Sequence, residues 1–172
     1  MEKTTLRVRT FGDPVLRKKA KEVSRITEAR KSLLSEMAQL MYESSGIGLA
    51  APQVGVSEAL IVVDIGSGLY KLVNPKITKR EDSQVLEEGC LSVPGVCIKV
   101  RRAGKISVSG QDEEGKKLKF EAEGLLACVF QHEIDHLKGK LIIDYASLLQ
   151  KLRIKRKLIA LKKSSRTCKL LF

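Results

Sequence analysis

Hydrophobic positions recur at helical spacing early in the chain, where Ile26, Ala29, Leu33, Met37 and Leu40 are separated by charged and polar residues. That period predicts an amphipathic helix over about residues 25–42. Ahead of it, Gly12-Asp13-Pro14 reads as a turn into a short helix, with Asp13 as N-cap and Pro14 at the first helical position. The periodicity then breaks at Gly46-Ile47-Gly48-Leu49-Ala50-Ala51-Pro52-Gln53, a run of small residues that favours close backbone approach over regular structure. The run has the glycine content of a phosphate loop, but it lacks G-K-[ST] and no strand precedes it, so nucleotide binding is not expected.

Aliphatic and β-branched runs follow. Ala59 to Asp64 and Leu69 to Val73 read as strands joined by a Gly66-Ser67-Gly68 turn, and further strands are expected at Cys97 to Arg101, Lys105 to Ser109 and Lys116 to Glu121. Leu125, Leu126, Ala127, Val129, Phe130, Ile134 and Leu137 are apolar nearly all the way round a helix, as a helix buried in the middle of a domain must be. It stops at Lys138-Gly139, where glycine can take the left-handed C-terminal position. A last helix is expected over Ser147 to Lys162. The expected class is therefore α+β: antiparallel β-sheets packed around a central metal-binding helix, with N-terminal and C-terminal helices.

At 172 residues, with no internal repeat or flexible linker, one catalytic domain over residues 1–172 is expected, carrying a basic helix or tail from about residue 147. The N-terminal stretch lacks the apolar core of a signal peptide, and nowhere do eighteen apolar residues run together, so a soluble, cytoplasmic protein without membrane contact is expected. The net charge of +12 is unevenly placed. No acid follows Asp144, whereas nine lysines and arginines lie between Lys151 and Lys169, leaving +3 for the first 150 residues. A polyanionic partner would meet that end of the chain, unless the charges simply form a solvated helix face.

The chemistry concentrates in Gln131-His132-Glu133-Ile134-Asp135-His136, which holds the only two histidines. Four positions are a little over one helical turn, so His132 and His136 point from one face and can converge on a single ion. Glu133 lies one step round the helix, near enough to reach a water on that ion as general base without ligating it. Two surface histidines on an ordinary helix are the plain alternative, but the apolar flanks bury this helix, and buried ionisable groups need partners.

Two histidines leave a divalent ion short of ligands, since a catalytic site commonly uses three protein groups and one open position. With no histidine left, the third must be a cysteine or a carboxylate. Cys128 is one turn before His132, too far along the axis, and reads as packing. Cys168 falls in the tail as a free thiol. Cys97 falls in an expected strand, where it can face the core. Cys90, in the glycine-bracketed loop Glu87-Glu88-Gly89-Cys90-Leu91-Ser92-Val93-Pro94-Gly95, is the candidate, with Glu88 and Asp135 as rivals.

Taken together, Gly46 to Gln53, Glu88 to Pro94 and Gln131 to His136 resemble the three signature segments of peptide deformylase, in that family's order and spacing. The opening Thr10-Phe11-Gly12-Asp13-Pro14-Val15-Leu16-Arg17 is similar too, so the resemblance runs from about residue 6 to 150. It implies a metallohydrolase that removes the formyl group from N-formylmethionyl nascent chains. One divalent ion per chain is implied, Fe(II) natively, with zinc, nickel or cobalt in preparations. By the same resemblance Cys90, His132 and His136 would hold the ion, Glu133 would be general base and acid, and Gln53 and the Leu91 backbone N–H would stabilise the oxyanion. The Gly48 backbone would hold the peptide, and Ile47, Leu91, Leu125 and Val129 would line the methionine slot, Leu125 equally well being plain core. Two positions depart from the pattern: Cys97 stands where many members carry arginine or another polar group, and Cys128 occupies a variable position.

The basic C-terminal helix, on this reading, faces ribosomal RNA where nascent chains emerge. Two other classes compete. A zinc endopeptidase of the H-E-x-x-H type would use the same base. An RNA-binding protein with a structural metal would need a closed four-ligand site and stacking aromatics, and four Phe and three Tyr supply few of these.

Overall fold

The structure, a computed structural model, describes residues 6–167. The helices are α1 (Glu28–Glu43), α2 (Gly124–Leu137) and α3 (Leu148–Thr167), and the strands are β1 (Gly48–Ala50), β2 (Leu60–Val63), β3 (Tyr70–Glu81), β4 (Gln84–Glu88), β5 (Ile98–Arg102), β6 (Lys105–Gln111) and β7 (Lys117–Glu123). Three short 3-10 turns, Pro14–Arg17, Ala51–Val54 and Ile142–Tyr145, complete the order. A five-stranded antiparallel sheet runs β1-β2-β3-β6-β7, and β4 pairs with β5 in a separate antiparallel ribbon. This is the α+β architecture expected from the sequence. Asp13 caps the first turn by accepting a hydrogen bond from the Val15 N–H at 3.1 Å, with Pro14 leading the turn.

The central sheet is covered on both faces, which is why β2 reads Leu-Ile-Val-Val with no polar alternation. Leu60 and Val62 face α1, packing with Leu34, Met37 and Met41. Ile61 and Val63 face α2, packing around Phe130. Phe130 also sits between Tyr70 and Phe120, with ring centroids 5.3 Å away in each case. A third cluster joins Leu16, Val93, Val96, Ile98 and Ile142 beneath the Cys90 loop, and α3 lays Ile154, Leu158 and Leu161 onto it. Part of the basic tail is thus a packed element: Lys157 donates to the Gly95 carbonyl at 2.6 Å.

Several expectations are corrected. The inner face of α1 is Leu34, Met37, Ala38 and Met41, so the stripe lies one position round from the one read through Leu33 and Leu40. Strand β3 runs eight residues past Val73, because its outer half pairs with β6, which the local pattern does not show. Strand β4 went unread, three of the five residues of its Gln-Val-Leu-Glu-Glu being charged or polar, in a two-stranded ribbon. Cys97 lies just outside β5 and is exposed, not turned to the core. The tail reading of Cys168 lies outside the described residues.

Asn74 locks the first loop onto the sheet from a left-handed backbone position at φ 52°. Its side chain accepts from the Val23 N–H and donates to the Val23 carbonyl, each at 2.8 Å. Asn74→Ala removes both bonds, about 1 kcal/mol each, and places a Cβ without local hydrogen bonding at positive φ, costing about 1 kcal/mol more. A loss of about 3 kcal/mol in chemical denaturation is expected; a midpoint equal to that of the parent chain contradicts the assignment.

Candidate metal centre

Helix α2 carries the centre because its sequence leaves almost no solvated face: from Ala127 to Leu137 only Asp135 is less than fully buried. Its end is sharp. Gly139, at φ 72°, is left-handed as expected, and a Cβ there would lie 2.6 Å from the Arg17 carbonyl oxygen. Within this helix the His132 and His136 rings meet edge to face, their Nε2 atoms 3.2 Å apart.

The Cys90 loop, following β4, brings its sulfur to 3.3 Å from His136 Nε2. The Cys90, His132 and His136 donor atoms all lie within 4.8 Å of one another. Bond lengths near 2.0–2.1 Å for nitrogen and 2.3 Å for sulfur make tetrahedron edges of roughly 3.3 Å between nitrogens and 3.6 Å between nitrogen and sulfur. The observed 3.2 and 3.3 Å separations match that spacing. Of the two rivals, Glu88 reaches His132 at the other edge of the ring, its Oε2 2.9 Å from Nδ1. Asp135 faces away, accepting from Arg102 Nη1 at 2.8 Å and from the Tyr145 hydroxyl at 2.6 Å.

The electrostatics suit a cation. Burial acts to lower the pKa of His132, yet hydrogen bonds to Cys90 and Glu88 carry it well above the ordinary value, so the groups around this ring favour positive charge there. Burial and the nearby His132 charge push His136 well below its ordinary value, which favours the neutral ring. Glu88 is pushed up by burial, but His132 and Arg102 outweigh it and hold its carboxyl at about 2. Burial raises Glu133 to about 7, and its Oε2 is buried without a hydrogen-bond partner among the described residues. A buried carboxylate oxygen with nothing to accept from fits a water held by an ion beside it.

The loop at Gly46 to Gln53 closes the other side. Strand β1 passes so near α2 that a Cβ on Gly48 would collide with the Glu133 carboxylate and lie 2.9 Å from Val129 Cγ1. Gln53 is buried, its Oε1 accepting from the Ala50 N–H at 2.8 Å. That bond aims its Nε2 toward the Cys90 sulfur, at 3.7 Å, and the Ser92 hydroxyl, at 3.2 Å. Ser92 was missed in the sequence, where nothing distinguishes it from an ordinary loop serine. Arg102 was missed too. It forks onto both oxygens of Glu88 from β5, and only the pairing of β4 with β5, Gln84↔Arg102 at one end and Glu88↔Ile98 at the other, puts both side chains on one face of the ribbon.

These residues open onto a cavity of about 580 Å³, lined by Ile47, Gly48, Leu91, Leu125 and Val129 among others, with His132, Glu133 and Cys90 at its inner end. Leu125 is 50% exposed, so it belongs to the rim and not to the plain core. Cys128 is buried as expected, and its thiol also donates to Glu88 Oε1 at 3.2 Å. The chain thus gathers three ligand atoms, one unpartnered base and an apolar slot at one place, which is the equipment of metal-assisted hydrolysis.

Comparison with known proteins agrees. A family profile described as polypeptide deformylase matches residues 5–152. A peptide deformylase from Halothermothrix orenii is 55% identical over 141 residues, covering 81% of this chain and 92% of that one. The crystal structure of peptide deformylase from Thermotoga maritima superimposes with a TM-score of 0.81 at 46% identity, covering 83% of this chain and 98% of that chain. A peptide deformylase from Legionella pneumophila gives a TM-score of 0.87 at 41% identity, covering 95% and 98%.

Titration of the metal-free protein with Co(II) is expected to reach one equivalent and produce a thiolate-to-metal charge-transfer band. Cys90→Ala should abolish that band and Cys97→Ala should leave it. A band that survives loss of Cys90 contradicts the ligand set.

Proposed function

The chain belongs to the polypeptide deformylase family, and from that premise we propose that Cys90, His132 and His136 hold one divalent ion, Fe(II) in the cell, on which its activity depends. It is an enzyme that removes the N-formyl group of nascent peptides. The zinc endopeptidase alternative is not favoured by the family match. The observation that carries the assignment of roles is the buried, unpartnered Glu133 Oε2 beside the three donor atoms at the end of the apolar cavity.

When bound, the ion supplies a Lewis acid that polarises the formyl oxygen and lowers the pKa of water. Glu133 Oε2 accepts a proton from the attacking water, and a carboxyl raised to about 7 returns it readily to the departing methionine amine. Gln53 Nε2 and the Leu91 N–H stand at the Cys90 side of the cavity to donate to the oxyanion as it develops. The Gly48 backbone, with no side chain to intervene, lies against the Glu133 carboxylate and holds the peptide there. Ile47, Leu91, Leu125 and Val129 form the slot for the methionine side chain. A thiolate ligand suits Fe(II) by its charge and softness. The whole chain acts as one catalytic unit with α3 attached, and it works in the cytoplasm. Among the described residues no helix is long and apolar enough to cross a membrane.

Helix α3 has no acidic residue and turns most of its lysines and arginines outward. We infer that it docks on ribosomal RNA at the point where formylated chains emerge, with the strong salt dependence of phosphate contacts.

Three substitutions separate the roles, read by formate release and metal content on one anaerobic sample. Glu133→Ala should keep the ion and lose turnover, and His132→Ala should lose the ion. Gln53→Ala should keep the ion and lose about 2.7 to 4 kcal/mol of transition-state stabilisation. Equal metal loss in all three would mean the roles are misassigned, and cleavage of unformylated peptides as fast as formyl-Met-Ala would favour the endopeptidase. The iron form should lose activity in air; full activity after prolonged aerobic incubation argues against iron. A chain ending at Ala146 should no longer co-sediment with ribosomes, and undiminished co-sedimentation refutes docking through α3.

A further inference from the structure

An ionised carboxylate offers about four lone-pair sites and no donor, so a buried one is held only when donors surround it. Glu88 is 7% exposed. Three of its sites are taken by Arg102 Nε on Oε1, and by Arg102 Nη2 and His132 Nδ1 on Oε2, the last two at 2.9 Å. The fourth is met by the Cys128 thiol, 3.2 Å from Oε1 and 3% exposed. Cys128 and His132 are four residues apart on α2, so one carboxylate bridges two successive turns of the helix.

We propose that Cys128 is a positioning residue: its S–H completes the hydrogen-bond set of Glu88 and thereby fixes the His132 ring toward the metal. The proposal rests on His132 being a metal ligand. Arg102 holds the carboxylate from the strand side and is itself anchored by Asp135 at 2.8 Å, so that restraint persists without the thiol. Cys128 is the restraint from the helix side, and without it Glu88 is free to tilt about the Arg102 fork and draw Oε2 off His132 Nδ1. Burial, followed by the Glu88 charge, pushes the thiol up to about 12, so it remains a donor at any working pH. A thiol is a weak donor to a neutral group, but a charged acceptor in a dry interior strengthens the bond.

The outer partners of a ligating histidine typically govern metal affinity by about 10- to 100-fold. The test uses the protein loaded with Co(II), comparing the rate of metal release to a chelator and the visible spectrum across variants. Cys128→Val fills the space without a donor and should release the metal at least about 10-fold faster with altered d–d bands, whereas Cys128→Ser restores a donor and should stay within about 2-fold of the parent chain. Should Cys128→Val fail to fold, Cys128→Ala replaces it and is read by the same ratio to Cys128→Ser. Equal release rates and spectra for the donor and non-donor variants overturn the proposal and leave Cys128 as packing. Failure of the parent chain to bind Co(II) with a thiolate band would overturn instead the ligand assignment beneath it.

Discussion

The structure depends on bringing one sulfur from an irregular loop onto two imidazoles of a buried helix. Neither partner can hold that geometry alone. The helix presents His132 and His136 on one face through its own period, but the Cys90 loop has no regular hydrogen bonding to fix it. It is held from beneath by Val93 and Val96 in a cluster shared with Leu16, Ile142 and α3, and from the side by the Phe11 N–H donating to the Ser92 carbonyl at 2.7 Å. The sequence at the N-terminus, the loop and the C-terminal helix are therefore parts of one support for a single thiolate.

Charge explains why the helix is buried so deeply. Taking two histidines and a glutamate out of water is costly unless each is answered. Glu88 answers His132, Arg102 answers Glu88, and Asp135 with Tyr145 answers Arg102, a chain of polar groups running from the cavity to the far side of α2. Among the described residues Glu133 Oε2 is left unanswered, as is His136 Nδ1, and burial raises the Glu133 carboxyl into the range where it can both take and return a proton. The same low-exposure environment that makes an unpaired group expensive makes it useful as a base.

Much of this was readable in the sequence because it is local. The i, i+4 histidines, the apolar flanks of α2, the Asp13-Pro14 cap and the Gly139 stop each follow from neighbours a few residues apart. What was not readable depends on pairing at a distance. Arg102 meets Glu88 only because the pairing of β4 with β5 puts both side chains on one face of the ribbon, and Ser92 meets Gln53 only because the loop folds over the 3-10 turn at Ala51–Val54. Cys97 looked like a core residue by chemistry alone, yet it ends a loop just ahead of β5 and faces solvent. Leu148, Leu149, Leu152 and Ile159 were taken into a basic helix by charge, and they form an exposed apolar stripe opposite the Ile154, Leu158 and Leu161 face that packs.

X-ray absorption at the metal edge of the loaded, anaerobic protein tests the central convergence most directly. One sulfur at about 2.3 Å, two imidazole nitrogens at about 2.0–2.1 Å and one further light atom are expected. A first shell with no sulfur, or with four protein ligands and no exchangeable position, would contradict the account.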